Sequence, residues 1–370
     1  MKRMNDERGA IMNKSYTRVL LTMMLAAIVV LAGCGAKQEP KEAVRDAAAK
    51  ATEMTSFALT SKVVINNFSM SQSDELPEME MVLAMLKDAE LSVDGVFQND
   101  PMQSEFTIGI HLKGDMEFAY NIPVVMTADK MYIKVPNIPM LGIPETLVNK
   151  YIEIDMKKLA EEEGVEWSPA TMDLTKSQQF SNEVTDAVLS EYDQDTYFKS
   201  IEKEAFSVPE DVDAKQLVQF QVTNENAKEA ITILLNKVMP KVIDIMSKAE
   251  YKEMLQITDE QIAEMKEELN STDESQIAAD LEELKNHLTI NTFTMNTAIN
   301  KEGIPAYQEG KVDVIINDPD TSETVNLDMT ITQHYKDINK TQEFQIGIPA
   351  GDDVVTIEQF QELLSEAYSY

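Results

Sequence analysis

The sequence predicts an α+β fold in which an antiparallel β-sheet is combined with a helical insert. Two regions, approximately residues 57–155 and 312–348, carry apolar residues at every second position, which is the pattern of strands with one buried face. The region between them carries apolar residues at helical spacing. Strands and helices do not alternate one by one, which disfavours a parallel doubly wound sheet.

The first region begins with a helix and continues as a meander of strands. The helix is predicted over residues 41–54, which are rich in alanine and carry charges at helical spacing. Short turns at residues 99–101 and 128–130 join neighbouring strands. The strands are predicted at residues 57–65, 106–112, 116–122, 131–135 and 151–155.

The middle region is mainly helical. A helix is predicted over residues 175–192, a strand over 216–222, and a long helix over 226–249 that Pro240 kinks or breaks. Thr258 and Gln261 have the spacing of a capping box, which starts a helix to Leu269. A third helix is predicted from Ser271 to Leu288, so the helical insert covers about residues 226–288.

Strands return in the last region. The alternation predicts strands at residues 312–316, 325–331 and 344–348, and Thr356 with Gln359 caps a final short helix. No internal repeat or long low-complexity linker divides the chain, so residues 42–370 are predicted to form a single domain.

The N-terminal segment carries a targeting signal. Lys14 and Arg18 precede thirteen uncharged residues from Val19 to Leu31. At 1.5 Å per residue this run is too short to cross ~30 Å of hydrocarbon comfortably, but it has the length of a signal-peptide core. Translation starts at Met1 or at Met12.

The sequence Leu31-Ala32-Gly33-Cys34 resembles the lipobox of bacterial lipoproteins. The resemblance implies that residues 1–33 are a signal peptide and that cleavage occurs between Gly33 and Cys34. Cys34 would carry diacylglyceryl on its sulfur and acyl chains such as palmitate, and residues 34–41 would form a polar tether. The alternative is an uncleaved membrane anchor with an incidental cysteine.

Composition excludes several classes of protein. A net charge of −33 argues against binding nucleic acid, because phosphate neutralisation requires clustered Lys and Arg. The single cysteine excludes a disulfide within the chain and a cysteine-rich zinc site. Without residues 1–33 the chain has 27 basic and 63 acidic residues, a net charge of −36. An anionic membrane repels such a body, which favours a tether that lifts it off the surface.

No motif indicates catalysis, and we expect no enzyme activity, metal or cofactor. The chain has no nucleophile elbow, phosphate loop or dinucleotide fingerprint. His111, His287 and His334 lack paired spacing and are interpreted as solvated histidines. The acidic clusters at residues 161–163 and 318–323 are interpreted as charged surface turns, with weak calcium binding as the alternative for the second.

The methionines give a modest indication of an apolar lining. Met79 and Leu83 fall at helical spacing in a segment between predicted strands. Methionine is flexible and polarisable, and it suits surfaces that adapt to varied apolar shapes. Core filling is the first interpretation, an adaptable lining the second, and copper binding a distant third.

Two segments carry a family resemblance. DKMYIKVP at Asp129–Pro136 and KYIEID at Lys150–Asp155 resemble segments of small lipoproteins in the LolA/LppX-like superfamily. The resemblance implies a curved antiparallel half-barrel whose concave face is covered by helices, with a gap between the layers that accepts a lipid or another hydrophobic molecule. The side chains expected to line this gap are Met79, Leu83, Phe118, Tyr120, Leu235, Val238 and Val242.

The functional expectation is therefore a non-enzymatic lipoprotein, anchored by lipid on the extracytoplasmic face of the cell membrane, that binds or carries a hydrophobic ligand. The alternative is a structural or interaction module of the cell surface with a packed core and no ligand. A third interpretation, the solute receptor of a transporter, has less support, because the βαβ pattern is missing.

Overall fold

The computed structural model describes residues 38–71, 87–113, 117–139, 142–162, 174–271, 287–317 and 324–368. The statements below concern these residues. Residues 40–370 form one structural unit. The predicted signal peptide with Cys34, most of the predicted helix 271–288, and the acidic residues 163 and 318–323 lie outside the described residues.

The dominant element is a curved sheet of twelve strands that does not close on itself. Its order is β12-β6-β5-β4-β3-β2-β1-β11-β10-β9-β8-β7, and all neighbouring pairs are antiparallel except β12 and β6. The predicted α+β class with a half-barrel sheet is confirmed. The strands are β1 (Ser56–Met70), β2 (Glu90–Asn99), β3 (Met102–Leu112), β4 (Phe118–Thr127), β5 (Lys130–Lys134), β6 (Tyr151–Asp155), β7 (Phe198–Ser200), β8 (Ala214–Gln221), β9 (Leu288–Asn300), β10 (Pro305–Asn317), β11 (Thr324–Lys336) and β12 (Val354–Thr356).

The helices lie before, within and after the sheet sequence. They are α1 (Pro40–Ala51), α2 (Met156–Glu162), α3 (Leu174–Glu191), α4 (Gln194–Tyr197), α5 (Ala227–Ile233), α6 (Met239–Met246), α7 (Ala249–Leu255), α8 (Asp259–Ser271) and α9 (Ile357–Tyr368). Two short 3₁₀ turns occur at Lys203–Ala205 and Gly351–Asp353. None of the described helices is both long and apolar enough to span a membrane.

The main core lies between helices and one end of the sheet. Helix α1 contacts β7 to β10 and packs along α3. Ala43 and Ala47 of α1, Val218 of β8 and Ile290 of β9 are buried in one cluster with Tyr197. The small alanines bring α1 close to the strands, because they add little side-chain volume at the contact.

The predicted interruption of the long helix is confirmed, and it lies about one turn before Pro240, the residue that causes it. Leu234–Val238 forms a π-helical turn between α5 and α6. Pro240 lies in the first turn of α6 and has no backbone N–H to donate. The wider turn accommodates the proline and lets the chain continue as a helix.

Both predicted capping boxes are present. The Thr258 N–H donates to Oε1 of Gln261 at 2.9 Å, and the Gln261 N–H donates to Oγ1 of Thr258 at 3.2 Å. Thr356 and Gln359 make the same reciprocal pair at 3.0 and 3.3 Å. These bonds satisfy helical N–H groups that have no partner within the helix, so α8 and α9 begin where the sequence predicts.

The predicted strand at residues 344–348 is wrong. This segment crosses the polar face of the sheet instead of joining it, and Glu105 of β3 holds it there. Oε2 of the buried Glu105 accepts the backbone N–H groups of Gln345 and Ile346 at 2.7 and 2.8 Å. Oε1 accepts that of Gly347 at 2.6 Å. A carboxylate takes these N–H groups in place of a neighbouring strand.

Two long strands are absent from the sequence prediction, and each has an interrupted alternation. In β2 the series Leu91, Val93, Phe97 is broken by Gly95, where a Cβ atom would lie 2.3 Å from the Glu105 carbonyl oxygen. In β9 the pairing with β10 shifts by one residue near Thr292, so apolar positions change phase along the strand. The close approach of the β3 backbone at Gly95 and the bulge in β9 therefore interrupt the alternation of apolar residues, so a search for strict alternation misses both strands.

We predict that Glu105→Gln destabilises the protein by about 2 kcal/mol, because hydrogen bonds to a charged acceptor are worth more than neutral ones. The new amide group also places an N–H beside backbone N–H groups. Urea unfolding of the purified protein measures the loss. Glu343→Gln makes the same change at the exposed position just before the crossing segment and should leave the unfolding midpoint unchanged. Equal midpoints for both variants would contradict the anchoring role of Glu105.

Candidate functional site

The strand registers place apolar side chains on one face of the sheet across many strands. In β11 the face carries Val325, Leu327, Met329 and Ile331. Each pairs with residues that share its face, because directly opposed residues of antiparallel strands point the same way. We call this surface the apolar face; its further members include Val63, Ile65, Phe68, Leu91, Val93, Phe293, Met295, Ile108, Ile110, Phe118, Tyr120, Ile122, Val312, Val314 and Ile316.

Part of this face is open to solvent. Leu91, Phe293, Met295 and Ile316 are large apolar residues with exposed fractions of 38% to 47%. They lie on strands β2, β9 and β10. Exposed apolar surface that continues over several strands is uncommon in a monomer and marks a site of contact with another molecule.

The helices pack closely over only part of the apolar face. Helix α1 contacts β7 to β10, and the buried cluster around Val218 and Ile290 lies beneath it. Val314 and Leu288 are partly buried against this cluster. The apolar face therefore continues outward from a packed core into a region where its side chains are accessible.

A cavity of about 350 Å³ lies at the edge of the helix layer. Its walls come from α1 and α3, and its floor comes from β1, β9, β10 and β11. The volume is near the lower limit for small-molecule sites. The described lining residues are Val44, Ala48, Ala51, Thr52, Met54, Phe57, Ser177, Gln178, Ser181, Asn182, Thr185, Thr297, Pro305, Gln308, Gln333 and Tyr335.

One wall of the cavity is aromatic. The ring of Phe57 stacks on Phe97 with centroids 5.3 Å apart and meets Tyr335 edge to face at 5.2 Å. Burial raises the pKa of Tyr335, which takes it still further from neutral pH, and its hydroxyl is protonated there. Nε2 of Gln333 lies 2.6 Å from that hydroxyl and donates to it.

A row of four polar residues crosses the sheet, and three of them, Gln333, Gln308 and Thr297, line the floor of the cavity. Ser61, Gln333, Gln308 and Thr297 are directly paired across β1, β11, β10 and β9, so all four lie on the apolar face. The Gln308 amide donates to Oγ1 of Thr297 over a long 3.4 Å. We call these four residues the polar row.

Sequence reasoning missed the polar row, although a signal was present. In β11 the apolar alternation from Val325 to Ile331 predicts an apolar residue at 333, and the chain has Gln333 there. In β10, Gln308 likewise occupies a position at which the alternation predicts an apolar residue. A polar residue at a position where the alternation predicts an apolar one indicates that this part of the sheet contacts a polar group.

The described side chains that were predicted to line a ligand gap lie outside the 350 Å³ cavity. Phe118 and Tyr120 are on the apolar face of β4, with ring centroids 6.3 Å apart. Val238 is buried in the main core, Val242 packs against it, and Leu235 lies in the π-helical turn. None of these five lines the 350 Å³ cavity. Met79 and Leu83 lie outside the described residues, and a ligand contact at any of the seven remains a prediction.

The interpretation of His334 as a solvated side chain is wrong. His334 is buried on the polar face of β11, where the segment after β7 covers it. Phe206 of that segment stacks on Tyr307, and the ring of Tyr307 meets His334 edge to face with centroids 5.6 Å apart. His111 remains partly exposed, with Nε2 3.0 Å from a carboxylate oxygen of Glu117.

A second cavity, of about 620 Å³, is strongly charged. Its lining includes Asp211, Asp213, Lys336 and Lys340, and it shares Tyr335 with the first cavity. Ion pairs join Lys301 to Asp213, and Lys336 to Asp211 at 3.8 Å. No group of three or more candidate metal ligands occurs among the described residues.

Comparisons with known proteins find similar solved structures but no family. The sequence matches no family model, and no curated protein matches it significantly. Among solved structures, the chain is similar to the crystal structure of the lipoprotein LppX of Mycobacterium tuberculosis. The TM-score is 0.30 and the identity 8%, over 82% of this chain and 97% of that chain. The fold class rests on the sheet and helices themselves.

We predict that His334 makes the protein acid-sensitive. Burial lowers the pKa of His334, although Asp211, with Oδ2 3.3 Å from Nε2, opposes the shift. The folded protein therefore binds this proton less readily than the unfolded chain. Its contribution to stability is complete above the unfolded value, about 6.5, and is lost as the pH falls below it.

Urea unfolding at pH 7.5 and pH 5.0 measures this effect. His334→Gln should lose less stability between the two pH values than the unsubstituted protein does. His111→Gln changes a partly exposed histidine and serves as the matched control. An unaltered pH dependence in His334→Gln would show that the buried ring does not cause it.

Proposed function

We propose that the protein is a lipid-anchored lipoprotein of the extracytoplasmic membrane surface that binds the hydrocarbon part of a lipid or similar apolar molecule on its apolar face. The observation that carries the proposal is the exposure of Leu91, Phe293, Met295 and Ile316 on one continuous face. A soluble body with a large negative charge gains nothing from such a surface unless another molecule covers it.

The energetics favour an extended hydrocarbon chain as the ligand. Burial of each methylene contributes about 0.8 kcal/mol, so ten buried methylenes supply about 8 kcal/mol before the cost of ordering the ligand. In strand β11 every second residue from Val325 to Ile331 is apolar, and all of these side chains lie on the apolar face. A linear run of apolar side chains suits a long, narrow ligand better than a compact one.

Methionines make this surface adaptable. Met329 of β11 and Met295 of β9 lie on the apolar face, and the methyl group of Met295 lies 3.4 Å from the position that a Cβ atom would take at Gly310. Gly310 thus leaves space into which the flexible Met295 side chain packs. Flexible thioethers over such a gap can adjust to chains of different shape.

The cavity chemistry favours binding over catalysis. Ser177 and Ser181 are among its lining residues, but no histidine, lysine or carboxylate is found among the described lining residues. A serine becomes a nucleophile only when a neighbouring base removes its proton. The proposal is therefore a binding protein, with the anchor at Cys34 holding it next to the membrane that supplies the ligand.

We predict that Met295→Glu reduces uptake of a fluorescent fatty acid by at least about tenfold, because a carboxylate beside the hydrocarbon would have to lose its hydration. Met295 is exposed, so the substitution should not unfold the protein. Thr294→Glu adds the same charge to the opposite face of β9 and should leave uptake unchanged. Absence of uptake by the unsubstituted protein would favour the structural or interaction module instead.

We predict that Cys34→Ser prevents lipidation. In a bacterial host the unsubstituted chain should incorporate radiolabelled palmitate and partition into the detergent phase after cleavage before residue 34. The variant should remain unlabelled and keep its signal peptide. Labelling of the variant would show that the anchor is attached elsewhere, and this result would leave the ligand-binding proposal intact.

A further inference from the structure

The lining of the 350 Å³ cavity is unusual for this chain. Charged residues make up 26% of the sequence, yet none of the described residues that line the cavity is charged. The second cavity, which shares Tyr335 with it, is lined by several aspartates and lysines. The lack of charge is therefore a property of this cavity and not of the surrounding region.

The polar groups that line the cavity are amides and hydroxyls from both layers. The polar row supplies Gln333, Gln308 and Thr297 from the sheet, and α3 supplies Gln178 and Asn182. Gln178 donates to the backbone oxygen of Met54 at 3.0 Å. A side-chain amide can take part in about four hydrogen bonds, so one donated bond leaves capacity for a ligand.

The polar row is continuous with the apolar face. Gln333 stands at the same phase of β11 as Ile331, Met329 and Val325. The eight residue steps from Gln333 to Val325 extend about 27 Å at about 3.4 Å per residue. One amphiphilic molecule can therefore place its polar end at the row and its hydrocarbon chain along the strand.

The charge of that polar end follows from the lining. A phosphate or an ammonium group in the cavity would lose water without gaining a countercharge, which disfavours its binding there. A hydroxyl, ester or amide group loses less on leaving water and finds donors and acceptors in the row.

On the basis of the proposed function, we propose that the ligand is an amphiphile with an uncharged, hydrogen-bonding head group, which the cavity binds at the polar row while the apolar face holds the hydrocarbon chain. The paired residues Gln333 and Gln308 recognise the head group. The selectivity against charged heads comes from the lack of a countercharge.

Photocrosslinking of the full, lipid-anchored chain in phosphatidylcholine vesicles tests this proposal. The probes are diacylglycerol and phosphatidic acid with identical photoactivatable acyl chains, which differ only in the phosphate. The readout is the labelled fraction of peptides from residues 288–336. Diacylglycerol should label them at least about tenfold more than phosphatidic acid. Equal labelling, or stronger labelling by phosphatidic acid, would overturn the head-group proposal alone. Labelling by neither probe would overturn the proposed function.

Substitutions in the polar row give an independent check. Gln333→Leu should reduce diacylglycerol labelling about fivefold, which corresponds to the loss of one hydrogen bond. Thr332→Val, on the opposite face of the same strand, should not change it. Gln308→Lys supplies a cation and should raise phosphatidic acid labelling severalfold. Unchanged labelling in both Gln333→Leu and Gln308→Lys would contradict recognition at the row.

Discussion

A twelve-stranded sheet with one apolar face has to cover that face with something other than water, and this requirement governs the rest of the molecule. At the β7–β10 end the cover is protein, because α1 and its neighbours bury Val218 and Ile290. Phe293 and Ile316 of β9 and β10, together with Leu91 of β2, nevertheless remain exposed. The same surface thus stabilises the fold where helices cover it and leaves apolar side chains accessible where they do not.

The opposite face of the sheet is held by polar contacts. Glu105 accepts three backbone N–H groups from the segment that crosses β3, and the segment after β7 covers His334 through Phe206 and Asp211. These contacts fix loops on the outside of the sheet, so the loops leave the apolar face free. A buried carboxylate suits this task because it accepts several bonds at once.

Much of the fold follows from local sequence patterns. The alternation in β11 and the capping boxes at Thr258 and Thr356 predict their elements directly, since each depends on neighbours in the chain. The strands hidden by Gly95 and by the shift in β9 do not follow, because the cause lies in the pairing with another strand. The segment 344–348 alternates like a strand, but its partner is a carboxylate 240 residues away.

The candidate site shows the same division. Gln333 and Gln308 can each be recognised in the sequence as a polar residue at an apolar position of its strand. Only the strand register shows that the two are paired and that they form one row with Ser61 and Thr297. The exposure of Met295 likewise depends on where the helices end. The sequence patterns indicate an apolar face, and the tertiary structure shows which part of that face is accessible.

The central claim is that a hydrocarbon chain occupies the apolar face. Native mass spectrometry of the full chain, purified from bacterial membranes in a mild detergent, tests it most directly. The account predicts a population that carries, beyond the covalent anchor, the mass of one bound amphiphile that survives release from the micelle. A single mass that corresponds to the anchored chain alone, unchanged after incubation with diacylglycerol or fatty acid, would contradict it.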